Sequence, residues 1–132
     1  MSLEEQIAIR NNYYTEAKRY LANAYKTLKL AGKEDGYYVD VKYVKSACGI
    51  AYLGVLLALD GLFKLAGLPK PKKNARIEYY TENLAKYDKK LLNALNDVYA
   101  LLHLEGYYRG LRSQKALSAA FEQAEIIINR LK

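Results

Sequence analysis

From Val39 to Ala66 the chain reads VDVKYVKSACGIAYLGVLLALDGLFKLA, and its apolar residues spread around most of a helical circumference. Val41, Val44, Cys48, Ala51, Val55, Ala58, Leu62 and Leu65 recur at spacings of three and four, while Ile50, Leu53, Leu57 and Ala66 widen that face. The pattern predicts a central helix that needs neighbours on several sides.

The neighbours are amphipathic stretches with polar backs. Leu3 to Ala31 carries Tyr14, Ala17, Leu21, Ala24, Leu28 and Ala31 on one seam, with Ser2 and Glu5 spaced as a capping box and Gly32 as the stop. The short loop KEDGYY leads into the central helix, with Asp40 as its cap, so the two helices should form an αα-hairpin. Gly67, Pro69 and Pro71 end the central helix. Asn74 then caps a helix running from Arg76 toward Leu104, with Ile77, Tyr80, Leu84, Tyr87, Leu91, Ala94, Val98 and Leu101 on its seam. A break near Tyr87 to Lys90 would divide it. Gly106 and Gly110 predict a turn at GYYRG, followed by a Ser113-capped helix from Arg112 to Leu131 that buries Leu117, Phe121, Ala124, Ile127, Ile128 and Leu131. The fold class expected is all-α: one domain over residues 1–132, an up-and-down antiparallel four-helix bundle, or five helices if the third is broken.

A second periodicity is much longer. RNNYYTE at Arg10 to Glu16 matches RIEYYTE at Arg76 to Glu82 in five of seven letters, and Gly36-Tyr37-Tyr38 corresponds to Gly106-Tyr107-Tyr108 four residues further out of step. At that second offset Lys42 and Lys45 fall on Arg112 and Lys115, and Ala47, Ala51 and Ala58 fall on Leu117, Phe121 and Ile128. Two pseudo-repeated αα-hairpins sharing one core would give this pattern, as would coincidence between tyrosine-rich amphipathic helices.

Composition narrows the classes. With 52% hydrophobic residues and 2 prolines in 132 residues, the chain is not of the disordered type. Aromatic packing falls to 14 tyrosines and 2 phenylalanines without tryptophan, so many rings must also place a hydroxyl. The lone Cys48 allows no internal disulfide and reads as a buried thiol. The polar, acidic start MSLEEQ is unlike a secretory signal, and Asp60 and Lys64 interrupt the apolar run, so a cytoplasmic location away from membranes is expected. The net charge is +7, of which residues 36–75 hold +4.

Candidate chemistry is sparse. Tyr37 and Tyr38 precede Lys42 and Lys45, while Tyr107 and Tyr108 precede Arg109, Arg112 and Lys115, so each hairpin sets rings beside positive charge. Such ends could stack and neutralise a phosphate-bearing chain, or form cation-π packing within the protein. Lys70, Lys72 and Lys73 make a basic elbow between prolines, readable as a binding knob or a solvated loop. Tyr13, Tyr14, Tyr79 and Tyr80 read as ligand-stacking rings or helix-end packing. His103 is the sole histidine and sits among leucines, with Glu105 and Arg109 near in sequence, so a structural role competes with acid-base chemistry. There is no Walker loop, Rossmann glycine run, HExxH or second metal-ligand cluster, so no cofactor and no metal is expected.

The succession of long helices, the alanine-rich second helix ending GLFKLAGLPKP and the helical C-terminal half resemble a HEPN-like bundle, particularly small bacterial members of that group. The resemblance spans Tyr13 to Leu131 and implies dimerisation, association with nucleotidyltransferases, or RNase activity. The RNase motif places histidine four to six residues after arginine; here His103 precedes Arg109, and neither Arg109 nor Arg112 has a histidine downstream. The leading expectation is therefore a scaffold or interaction protein that binds a protein partner or forms a homodimer. RNA or polyanion binding through the tyrosine- and lysine-rich ends comes second, and an RNase-like enzyme using His103 and Arg109 third.

Overall fold

The computed structural model describes residues 1–71, 73 and 75–132. Its elements are helices α1 (Leu3–Lys29), α2 (Val41–Leu65), α3 (Ile77–Tyr87), α4 (Lys89–Val98) and α5 (Gln114–Asn129), a π-helical segment (Tyr99–Tyr108) continuing α4, and strands β1 (Lys33–Glu34) and β2 (Tyr37–Tyr38). The all-α expectation holds apart from this two-stranded hairpin, which replaces the simple loop expected at KEDGYY. Lys33 pairs with Tyr38 and Glu34 with Tyr37. Asp35 and Gly36 both take positive φ in the turn, as a tight hairpin requires.

Cap chemistry starts three helices where the side chains indicate. Ser2 accepts from Glu5 N–H at the head of α1, Asp40 from Lys42 N–H at α2, and Ser113 from Ala116 N–H at α5. The proposed Asn74 cap lies outside the described residues; Arg76 stands at the start of α3 without a side-chain cap bond. The third predicted helix is broken at Asp88, whose extended backbone ends α3 and whose carboxylate caps α4 through Leu91 N–H. Tyr87, assigned to the buried seam, is 66% exposed because the break turns it out.

A second correction falls at Gly106. No turn begins there: the chain stays helical through Tyr108, and the reversal comes at Gly110, whose φ is +70°. Gly36 and Gly106, equivalent in the sequence comparison, thus occupy a hairpin turn and a helix interior.

The core follows the seams. Ala17, Leu21, Ala24 and Leu28 of α1 pack against α2, which buries Val44, Ala47, Cys48, Ala51, Val55, Ala58 and Leu59. Small residues permit the approach: a Cβ on Gly54 would lie 3.0 Å from Tyr20 Cβ and 3.3 Å from Ala17 O. The π-helical segment and α5 contact α2 as well, and α5 buries Leu117, Ala120, Phe121, Ala124, Ile127 and Ile128. An 18-residue window of α2 reaches mean hydropathy 1.8, which by length and composition alone would suit a membrane span, and 56% of it is buried against the rest of the chain.

The Tyr37–Tyr38 hairpin and the segment leading into α5 meet through their backbones. Tyr38 N–H donates to Arg112 O at 2.8 Å, Gln114 N–H donates to Gly36 O at 3.0 Å, and Tyr37 bridges Ser113. This joint fixes the start of α5 to the hairpin that precedes α2.

Candidate functional site: an aromatic groove around His103

Along α2, Ser46, Gly49, Ile50 and Leu53 form a stripe at spacings of three and four, and opposite them runs the π-helical segment. The i→i+5 bonding of that segment is rare and frequently marks functional sites. Here it brings Tyr99, His103 and Tyr107 into a ladder. The His103 ring centroid lies 5.2 Å from Tyr99 and 6.1 Å from Tyr107, with interplanar angles of 26° and 5°. Tyr52 of α2 stacks on the same imidazole at 4.5 Å, and Tyr108 meets it edge-on at 5.0 Å. Four tyrosine rings therefore surround the only histidine, within the geometries that aromatic pairs favour.

Two glycines allow the ladder to lie close to α2. A Cβ on Gly106 would collide with Cys48 Sγ and come within 2.8 Å of Cys48 Cβ and 2.9 Å of Leu101 O. On the other side, a Cβ at Gly49 would stand 3.0 Å from the Tyr107 ring. The result is an open groove of about 550 Å³ walled by Ile50, Tyr52, Leu53, His103, Tyr107 and Tyr108. Leu53, at 55% exposed, and Tyr108, at 61%, show that its apolar rim faces solvent.

Electrostatics favour packing over proton transfer here. Burial pushes the His103 imidazole below its ordinary pKa, so the neutral ring is favoured. Glu105, the sequence-near carboxylate, pairs with Arg109 at 3.1 Å and does not orient the imidazole. Burial raises Tyr52 to about 12, with Tyr99 adding to the shift, and burial likewise raises Cys48 to about 12. Among the described residues, no three His, Cys, Asp or Glu side chains gather as a metal site.

The sequence-predicted residues divide between places. Tyr107 and Tyr108 line the groove. Lys42 begins the same face of α2 one turn before Ser46, with its ammonium 4.7 Å from the Tyr43 ring centroid. Lys45 packs its aliphatic stem beside Gly110. Arg112 and Lys115 are exposed at the start of α5, while Tyr38 is buried beside Lys33 and Tyr37 is exposed. Lys70 and Lys73 follow the far end of α2, whose last residue, Leu65, lies roughly 35 Å along the helix axis from Lys42 at the helical rise per residue. Lys72 lies outside the described residues. The basic elbow and the turn end are therefore separate surfaces. Tyr52, Ser46, Gly49, Ile50 and Leu53 escaped the sequence reading. The signal for them was the pairing of in-helix glycines with tyrosines and histidine four residues apart.

Residues 12–132 match the family described as a domain of unknown function, DUF5618. The chain belongs to this family. A solved structure, that of a protein of unknown function from Dyadobacter fermentans, is similar to this chain at 42% sequence identity, with 92% of this chain and 94% of that chain covered and a TM-score of 0.82. No curated protein matches the chain. The DUF5618 match includes every groove residue and omits the first turns of α1, whose side chains through Ala8 are exposed.

Proposed function

We propose that this DUF5618 chain is a cytoplasmic interaction module whose aromatic groove receives apolar side chains from an acidic, amphipathic segment of a protein partner. The observation that carries the reading is the groove itself: Leu53 and Tyr108 are exposed on a wall held in place by Gly49, Gly106 and the stacked His103 ladder. Preorganised aromatic walls reduce the ordering cost of association. Charge complementarity selects an acidic segment, because the chain carries +7 and the exposed Lys42 stands one turn before Ser46 on the stripe of α2 that walls the groove. The resemblance to HEPN bundles, which often dimerise, is compatible with such a role and adds no catalytic residue to it.

Affinity capture with wild-type and Leu53→Asp chains, followed by titration of the purified captured protein, tests this reading. The expected result is saturable binding to an acidic segment, weakened at least about tenfold by Leu53→Asp and retained by Lys73→Gln. A chain that captures no protein, or capture indifferent to Leu53→Asp, overturns it. A second reading, polyanion binding, is favoured by the exposure of Lys42, Arg112 and Lys115. It requires strong salt dependence and indifference to Leu53→Asp. Intramolecular partners weaken it, since Lys42 lies over Tyr43 and Arg109 pairs with Glu105.

A further inference from the structure

The two Tyr-Tyr-Thr stretches take no part in the aromatic groove, yet they meet around the last turns of α2. Tyr13 seats on Gly61 so closely that a Cβ there would lie 2.6 Å from Tyr13 Cβ. From the other side, Phe63 meets Tyr79 edge-on at 5.6 Å and Tyr80 nearly parallel at 5.9 Å, while Tyr79 and Tyr80 meet edge-on at 5.1 Å. Tyr79 Oη donates to Pro69 O, which ties this ring pair to the chain leaving α2. Between the two stretches lies a cavity of about 370 Å³, lined by Tyr13, Phe63, Tyr79, Lys64, Lys70 and Lys73 together with Asp60. That volume falls in the small-ligand range of about 300–1,000 Å³.

Its charges do not pair with one another. Asp60 and Lys64 are one helical turn apart on α2, a spacing at which such residues ordinarily attract each other. Instead Asp60 accepts from Tyr80 Oη at 2.9 Å, and the Lys64 ammonium lies 5.9 Å from the Tyr13 ring centroid. Among the described residues, Lys64, Lys70 and Lys73 enter no ion pair. Among the described lining residues, three ammonium groups against one carboxylate leave two positive charges in excess. Burial raises Asp60 above its ordinary value and the Tyr80 bond opposes that rise.

We propose that this cleft binds a small aromatic ligand bearing a dianionic group, an aryl phosphate in chemical class, with its ring between Tyr13 and Tyr79 and its anion among Lys64, Lys70 and Lys73. The ring requirement comes from tyrosines fixed by Gly61 and Phe63, which offer aromatic surface without further ordering. The dianion requirement comes from the excess charge, which a monoanion would only half neutralise. The site is separate from the partner groove and does not depend on that reading.

Phenyl phosphate, inorganic phosphate and phenol titrated separately into the full chain, followed by tyrosine fluorescence and calorimetry, test the assignment. Phenyl phosphate is expected to bind at least about tenfold more tightly than either fragment, a gap of about 1.4 kcal/mol. Joint replacement Lys64→Gln with Lys73→Gln should remove at least that tenfold, with the helical circular dichroism and melting temperature unchanged. Leu53→Asp should leave the affinity unaltered. Equal affinity for inorganic phosphate and phenyl phosphate would reduce the site to a surface lysine cluster and overturn the proposal. Equal affinity for phenol, or no saturable binding at millimolar phenyl phosphate, would overturn it as well.

Discussion

Gly106 shows what one residue decides. Its missing side chain lets the π-helical segment rest on Cys48, and three prospective contacts of an added Cβ, to Cys48 Sγ, Cys48 Cβ and Leu101 O, fall below 3.0 Å. Two of those atoms belong to a side chain whose sulfur is fully buried, and the third is backbone, so little can yield. Gly106→Ala should cost about 1–3 kcal/mol, the usual range for an overpacked core, even though alanine is the better helix former by about 1 kcal/mol. Urea unfolding of the two chains measures the difference. A stabilised alanine variant would mean that the ladder does not rest on Cys48. The glycine is visible in the sequence, but its purpose is not: Gly106 and Gly110 look alike as turn signals, and only the distant Cys48 assigns one to a helix contact and the other to a left-handed turn.

Among the elements, the break at Asp88 is the most consequential local choice. Burial alone would raise its carboxyl, but Leu91 N–H and the Arg130 guanidinium outweigh burial and hold it below its ordinary 3.8. A carboxylate depressed in the folded state contributes stability above its unfolded pKa and loses that contribution as pH falls through the folded value. Asp88→Ala should therefore destabilise by about 1–2 kcal/mol at neutral pH, combining a lost N-cap with a partly exposed ion pair. The difference from wild type should shrink as the pH falls below 3.8. Asp88→Asn should retain part of the cap contribution; denaturant titrations at neutral and acidic pH distinguish the terms. Seam spacing made α1, α2 and α5 legible, because there helical period and burial agree along most of each seam, Val41 and Leu53 of α2 being the exposed departures. It was weaker from Tyr87 to Tyr108, where a cap side chain and i→i+5 bonding change the period while leucines continue to recur.

At the scale of the molecule, the two halves of the chain are tied together at both levels that matter for cooperativity. The backbone joins them where Tyr38 N–H meets Arg112 O and Gln114 N–H meets Gly36 O, and α2 buries its faces against α1, α5 and the π-helical segment. The candidate groove was half legible for the same reason. Tyr107 and Tyr108 stood out beside positive charge, whereas Tyr52, Gly49 and Leu53 join them only through helix packing between residues about fifty positions apart. If the halves unfold as one unit, Asp88→Ala and Gly106→Ala, separated by roughly 25 Å along α4 and the π-helical segment, should act independently. Their destabilisations should add within about 0.5 kcal/mol, with a single urea transition and an unchanged denaturant slope. Independent hairpins would instead give two transitions, each sensitive to the substitution in its own half. Since both substitutions lie in the second half, circular dichroism of the double variant would then retain a transition at the wild-type midpoint, and that outcome would reject the one-unit reading.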